Sequence, residues 1–109
     1  MKCLSCNIDL SWRYSIKAVE ADRPIYYSYQ WWECKKCGEK YYGILEESKV
    51  NIFNDDLIHT GYRVKPADWE ESLQWAKKCP EPDIDSCNCA IHKELPPAGF
   101  YGEQAWYTY

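Results

Sequence analysis

The 109-residue chain has no apolar run near the roughly 18 residues that a membrane-spanning helix requires. Its first residues, MKCLSCNIDL, contain no apolar stretch ahead of a small-residue cleavage site. No secretory leader is therefore expected, and the expected compartment is the cytoplasm. The sequence also lacks H-E-x-x-H, a P-loop, G-x-S-x-G and G-x-G-x-x-G, and it lacks the H-x-E with P-C-x-x-C of zinc deaminases. The acidic doublets Glu46-Glu47, Asp55-Asp56 and Glu70-Glu71 read as solvated or helix-terminal charge, so no catalytic residue is assigned and the chain is expected not to be an enzyme. Nor is there an excess of positive charge. Thirteen Lys and Arg stand against 17 Asp and Glu, which excludes an overall basic nucleic-acid footprint. Repeats and low-complexity runs are absent. The cysteine count, seven, is odd and fits poorly with a closed disulfide framework. In a reducing compartment such cysteines read first as metal ligands.

What is abundant is aromatic: six Trp and ten Tyr. Such rings carry much buried area on few residues, which suits a small core or an interface. From Ser11 to Val19, Trp12, Tyr14, Ile16 and Ala18 alternate with Arg13, Ser15 and Lys17, which predicts a half-buried strand with those four residues on the core side. A polar loop at 20–24 leads to a second strand, in which Ile25, Tyr27, Tyr29 and Trp31 alternate with Tyr26, Ser28, Gln30 and Trp32. The run KYYGILE at 40–46 predicts a third, with a bulge at Gly43. Residues 54–61 read as one helical turn capped by Asn54 and closed by Gly61, with His59 as a surface or capping residue, and Tyr62 and Val64 as a short extended piece. PADWEESLQWAKKC, 66–79, predicts a helix. It has Pro66 in the first turn, acids at its start, Lys77 and Lys78 at its end, and Trp69, Leu73 and Ala76 along one stripe. The tail is expected to be irregular, with AWYTY at 105–109 as an edge strand.

Two pairs, Cys3-x-x-Cys6 and Cys34-x-x-Cys37, have the spacing in which both sulfurs of a tight turn reach one ion. The predicted hairpin between them brings the pairs together, and Gly38 permits the turn after the second. With CLSC at 3–6, CKKCGEKY at 34–41 and the intervening strands, the first 46 residues resemble the zinc-ribbon fold group. That resemblance implies a three-stranded antiparallel sheet with zinc at one end. It implies no particular function, because ribbons serve many.

The remaining cysteines lie in CPEPDIDSCNCAIH at 79–92. Cys87 and Cys89 can chelate one ion from an extended loop. His92 follows three residues on, and Cys79 closes the shell from the helix end. Seven cysteines and His92 make eight ligands, enough for two structural zinc ions. With four protein ligands each, neither centre keeps an open position for a catalytic water. The expected fold is thus small, zinc-stabilised α+β. Residues 1–46 form the ribbon, and 47–109 form a helical and irregular extension with a second zinc-stapled loop, the whole packed as one unit.

Charge is segregated. Residues 1–45 hold seven basic and five acidic residues, whereas 46–109 hold six and twelve. An acidic half on a rigid aromatic platform suits a basic protein partner. Asp55, Asp56, Glu70, Glu71, Asp83 and Asp85 are the candidate contacts. Inhibitors or immunity proteins of basic nuclease toxins have this profile. The alternative is a nucleic-acid-binding ribbon or transcription accessory protein, using Arg13, Lys17, Arg23, Lys35, Lys36 and Lys40 with exposed aromatic rings.

Overall fold

A computed structural model of the chain describes residues 1–19, 25–49, 55–95 and 102–108. The loop at 20–24, the Asn54 cap and the stretch 96–101 fall outside the described residues. The strands are β1 (Ser11–Val19), β2 (Ile25–Glu33), β3 (Lys40–Lys49), β4 (Asp55–Val64) and β5 (Glu103–Thr108). They form one sheet in the order β1-β2-β3-β4-β5, each pair antiparallel. Helix α1 (Pro66–Ala76) and a single turn, α2 (Ala90–Lys93), complete the described elements. The expected three strands are present, but the sheet continues to five.

The fourth strand corrects the helical turn expected at 54–61. Asp55 to Val64 pair residue by residue with Lys49 to Lys40. Ile58, Thr60, Tyr62 and Val64 lie on one face, and Leu57, His59, Gly61 and Arg63 on the other. A strand, not a turn, is the conformation in which this segment places Tyr62 and Val64 over the core. Helix α1 stops at Ala76, three residues short of the expected end. The chain must turn there for Cys79 to leave the helix axis, and the Lys77 N–H closes onto Leu73 O.

The sheet buries both faces. On one, Ile16, Tyr29, Trp31, Tyr42 and Val64 pack with Trp69, Leu73 and Ala76 of α1. Polar atoms under the helix are paired: Trp31 Nε1 donates to Ser72 Oγ at 3.1 Å, and Trp69 Nε1 to Tyr41 O at 3.1 Å. On the other face, Cys3, Leu10, Cys34 and Tyr41 form a second core, covered by Trp32 and Trp106.

Two local features reverse expectations on this second face. Trp12 is 57% exposed, not core, because the β1–β2 register shifts between Trp12 and Tyr14. Arg13 is the extra residue, so Trp12 stands opposite Trp32 while Tyr14 and Ile16 keep the α1 face. Gly43 is not a bulge. It pairs in register with Gln30 and Gly61, and the irregularity falls between Gly61 and Tyr62. The two glycines form a flat floor for the indole of Trp106. A Cβ on Gly61 would lie 2.0 Å from Trp106 Cε2, and one on Gly43 3.3 Å from its Cζ2. Beside them sits His59, half-buried rather than a surface or capping residue. Its Nε2 is 2.9 Å from Gln30 Oε1, and its ring meets Trp106 edge-on. Burial holds its pKa below the ordinary histidine value.

Candidate metal centres

The first centre is two copies of one turn. In each, the first cysteine's carbonyl accepts from the residue after the second cysteine: Asn7 N to Cys3 O and Gly38 N to Cys34 O, both 2.9 Å. In each, the first cysteine's N–H reaches forward, Cys3 N to Ile8 O and Cys34 N to Glu39 O, again 2.9 Å. The residue closing the turn is left-handed both times, with φ 55° at Asn7 and 79° at Gly38. Glycine enters that region freely and asparagine tolerates it, which is why these two types stand there. The turn at 34–37 is delivered by the end of β2. The turn at 3–6 is delivered by the chain leading into β1, which is tied by Leu10 N to Met1 O at 2.8 Å.

Cys3, Cys6, Cys34 and Cys37 thereby bring their sulfurs within 4.8 Å of one another. Cys3 and Cys37 Sγ are 3.6 Å apart. A disulfide would need about 2.05 Å, whereas thiolates about 2.3 Å from a tetrahedral zinc stand roughly 3.8 Å apart. Cys3 and Cys34 are buried, Cys6 is half-buried and Cys37 exposed. Tyr41, fully buried, stands behind the site. Its hydroxyl accepts from Leu4 N at 2.8 Å, donates to Glu39 Oε2 at 2.6 Å, and lies 3.6 Å from Cys3 Sγ. Ser5 and Arg63 also bond to Glu39, so one carboxylate joins the first turn to the second and to β4. Without metal the sulfurs hold protons unequally. The side-chain hydrogen bond from Cys37 pushes Cys6 up to about 12, while the backbone N–H of Cys37 brings Cys34 down to about 7.

The second centre is built from the end of α1 and the loop beyond it. Cys79 N donates to Ala76 O, which fixes Cys79 at the edge of the α1 core, where it is 5% exposed. Turns closed by Ile84 N to Glu81 O and Cys87 N to Ile84 O bring the chain back. Cys89 then caps α2, and His92 sits one turn along it. Cys79 Sγ lies 3.9 Å from Cys87 Sγ, 3.5 Å from Cys89 Sγ and 3.3 Å from His92 Nδ1. Cys89 Sγ is also 3.3 Å from Nδ1. All four ligand atoms lie within 4.8 Å of one another. Burial raises Cys79 to about 12. At Cys89 burial acts the same way, but hydrogen bonds to its sulfur, the His92 backbone N–H foremost, outweigh it and bring the thiol down to about 6.

Both groups fit zinc: four soft or borderline donors at tetrahedral spacing, backed by hydrogen bonds that orient them. The spacing along the chain sorts the eight candidate ligands into the same two groups of four that the structure brings together. It could not show which histidine nitrogen faces the sulfurs, nor the Glu39–Tyr41 support, whose members are only ordinary strand residues when read along the chain.

The other candidate residues are spread out. Asp55 and Asp56 open β4. Glu70 and Glu71 are exposed on α1, and Glu70 accepts from Gln74 at 3.0 Å. Asp83 is exposed in the second-centre loop. Asp85 is half-buried and lines an open depression of about 340 Å³ with Lys17, Tyr26, Tyr27, Leu45 and Glu47. Of the basic residues, Arg13 and Lys40 both pair with Glu33, and Lys40 also covers the Trp69 ring. Lys35 and Lys36 are exposed between the first-centre cysteines, and Arg23 falls outside the described residues. Among the described residues, no helix is long and apolar enough to cross a membrane. Compared with protein families, curated proteins and solved structures, the chain finds no match.

Proposed function

We propose that the protein is a non-enzymatic, two-zinc interaction module whose acidic helix-and-loop side binds a basic protein partner. One observation carries this reading: where the ion pairs are not. Among the described residues, the acids held in ion pairs are Asp9, Glu33, Glu39 and Glu103. None belongs to α1 or to the second-centre loop. Glu70, Glu71, Asp83 and Asp85 therefore take part in no ion pair within the described residues. Loading both centres makes the protein more acidic still, to about −7, because seven thiolates then balance two dications. Four protein donors per centre leave no coordination position for water, which supports a structural role for both ions and no catalysis by them.

The depression at Asp85 gives one concrete contact. A Lys or Arg side chain from the partner would lie against Tyr26 and reach the carboxylates of Glu47 and Asp85. A basic enzyme that this protein would inhibit, such as a nuclease toxin, is the partner class that matches this chemistry.

Reversing the charge at Glu70, Glu71, Asp83 and Asp85 together to lysine tests the reading. A partner captured from the native host should be lost by at least about tenfold, its wild-type complex should weaken as salt rises, and the variant should keep its zinc. Uptake of DNA or RNA instead, abolished by Lys35→Glu and Lys36→Glu, would overturn the proposal in favour of a nucleic-acid ribbon.

A further inference from the structure

β1 is an edge strand, and edges with free N–H and C=O groups recruit other chains. At Lys17 this edge is covered. Lys17 pairs with Ser28 on its inner side, yet its N–H donates outward to Pro82 O at 2.8 Å. Its carbonyl accepts from His92 Nε2 at 2.7 Å. Both covering groups belong to the loop of the second centre. Pro82 has no N–H, so the covering segment does not itself extend the sheet.

His92 joins the two structures through opposite ring nitrogens. A carbonyl can only accept, so Nε2 carries the proton and Nδ1 is the bare nitrogen facing the sulfurs of Cys79 and Cys89. The ring that completes the metal shell is thus the ring that closes the edge. Of the described loop residues only Cys79 and Ile91 are buried, with Cys87 and Cys89 packed against the same core, so apolar anchoring of the loop is confined to three of the ligands and Ile91.

We propose that the second centre is a metal-operated clamp on the β1 edge: bound zinc holds residues 79–92 against Lys17, and its release opens the strand. This rests on zinc occupying that centre. Lys17 alone among its neighbours then depends on the clamp for protection. Ile16 and Ala18, whose N–H groups alternate toward β2, depend on the sheet.

The test is amide hydrogen exchange on the full chain at buffered free zinc concentrations. Lys17 should exchange faster than Ile16 and Ala18, and should slow about tenfold for each tenfold rise in free zinc, as one ion released per opening requires. In Cys89→Ser, Lys17 exchange should become fast and indifferent to zinc while Ile16 and Ala18 stay protected. If that variant fails to fold, the wild-type titration decides alone. A Lys17 rate independent of zinc, or equal to those of Ile16 and Ala18 throughout, overturns the clamp. With two zinc ions counted on the same sample, that outcome removes the clamp and leaves the zinc assignment. With one ion counted and the second centre empty, both fall.

Discussion

Cys34→Ser is expected to abolish the cooperative thermal transition of the protein. Cys34 is 1% exposed, and its backbone closes the second turn of the first centre at both ends. Serine keeps the backbone bonds but offers zinc a poor donor. Zinc bound only by the folded state contributes roughly 10–16 kcal/mol in zinc-finger peptides. A domain's net stability is about 5–15 kcal/mol, so losing even part of the metal term exceeds what remains. The second core could not compensate, because Cys3 and Cys34 are themselves two of its buried members. Buried hydroxyl and lost ligand are separated by Cys37→Ser. Cys37 is exposed, so its loss affects the metal and not the core. Circular dichroism melts should show both variants strongly destabilised. A Cys37→Ser melt that overlays the wild type would remove the metal from the stability argument.

Gly61→Ala should cost nearly as much as deleting Trp106. An alanine Cβ would sit 2.0, 2.2 and 2.3 Å from three ring atoms, and no rotation of a methyl group relieves that. The indole must leave, exposing Tyr41 and His59, which it touches, and loosening β5. Displacing a packed Trp costs about 3–5 kcal/mol, which for a chain of this size lowers Tm by roughly 15 °C or more. The two changes should be far from additive. In a Trp106→Ala background, Gly61→Ala should be close to neutral, because the obstructing ring is gone. Additive losses in this double-mutant cycle would show that Gly61 is needed for something other than the indole.

That same glycine shows what could and could not be read along the chain. β1 and β2 were legible because their aromatic alternation is local. The eight ligands were legible because spacing alone selects residues that can share an ion. β4 was not. Its Asp55-Asp56 start, His59 and Gly61 look like turn chemistry. Yet Gly61 is there for a tryptophan 45 positions later, a pairing that no window over residues 54–64 contains. The burial of His59 is hidden for the same reason, since its partners Gln30 and Trp106 come from two other strands. Alternation continued through Arg13 predicts a core Trp12, but one extra residue there turns the strand over. In each case the deciding contact comes from a neighbouring strand.

The central claim is that two independent centres of four ligands each hold zinc. Native mass spectrometry of protein purified without chelator tests it most directly, with Cys34→Ser and Cys89→Ser measured beside the wild type. The account predicts two zinc ions per wild-type chain, loss of at least the first-centre ion from Cys34→Ser, and loss of the second-centre ion alone from Cys89→Ser. A wild-type chain carrying no zinc, or a single ion that either substitution removes, would contradict it.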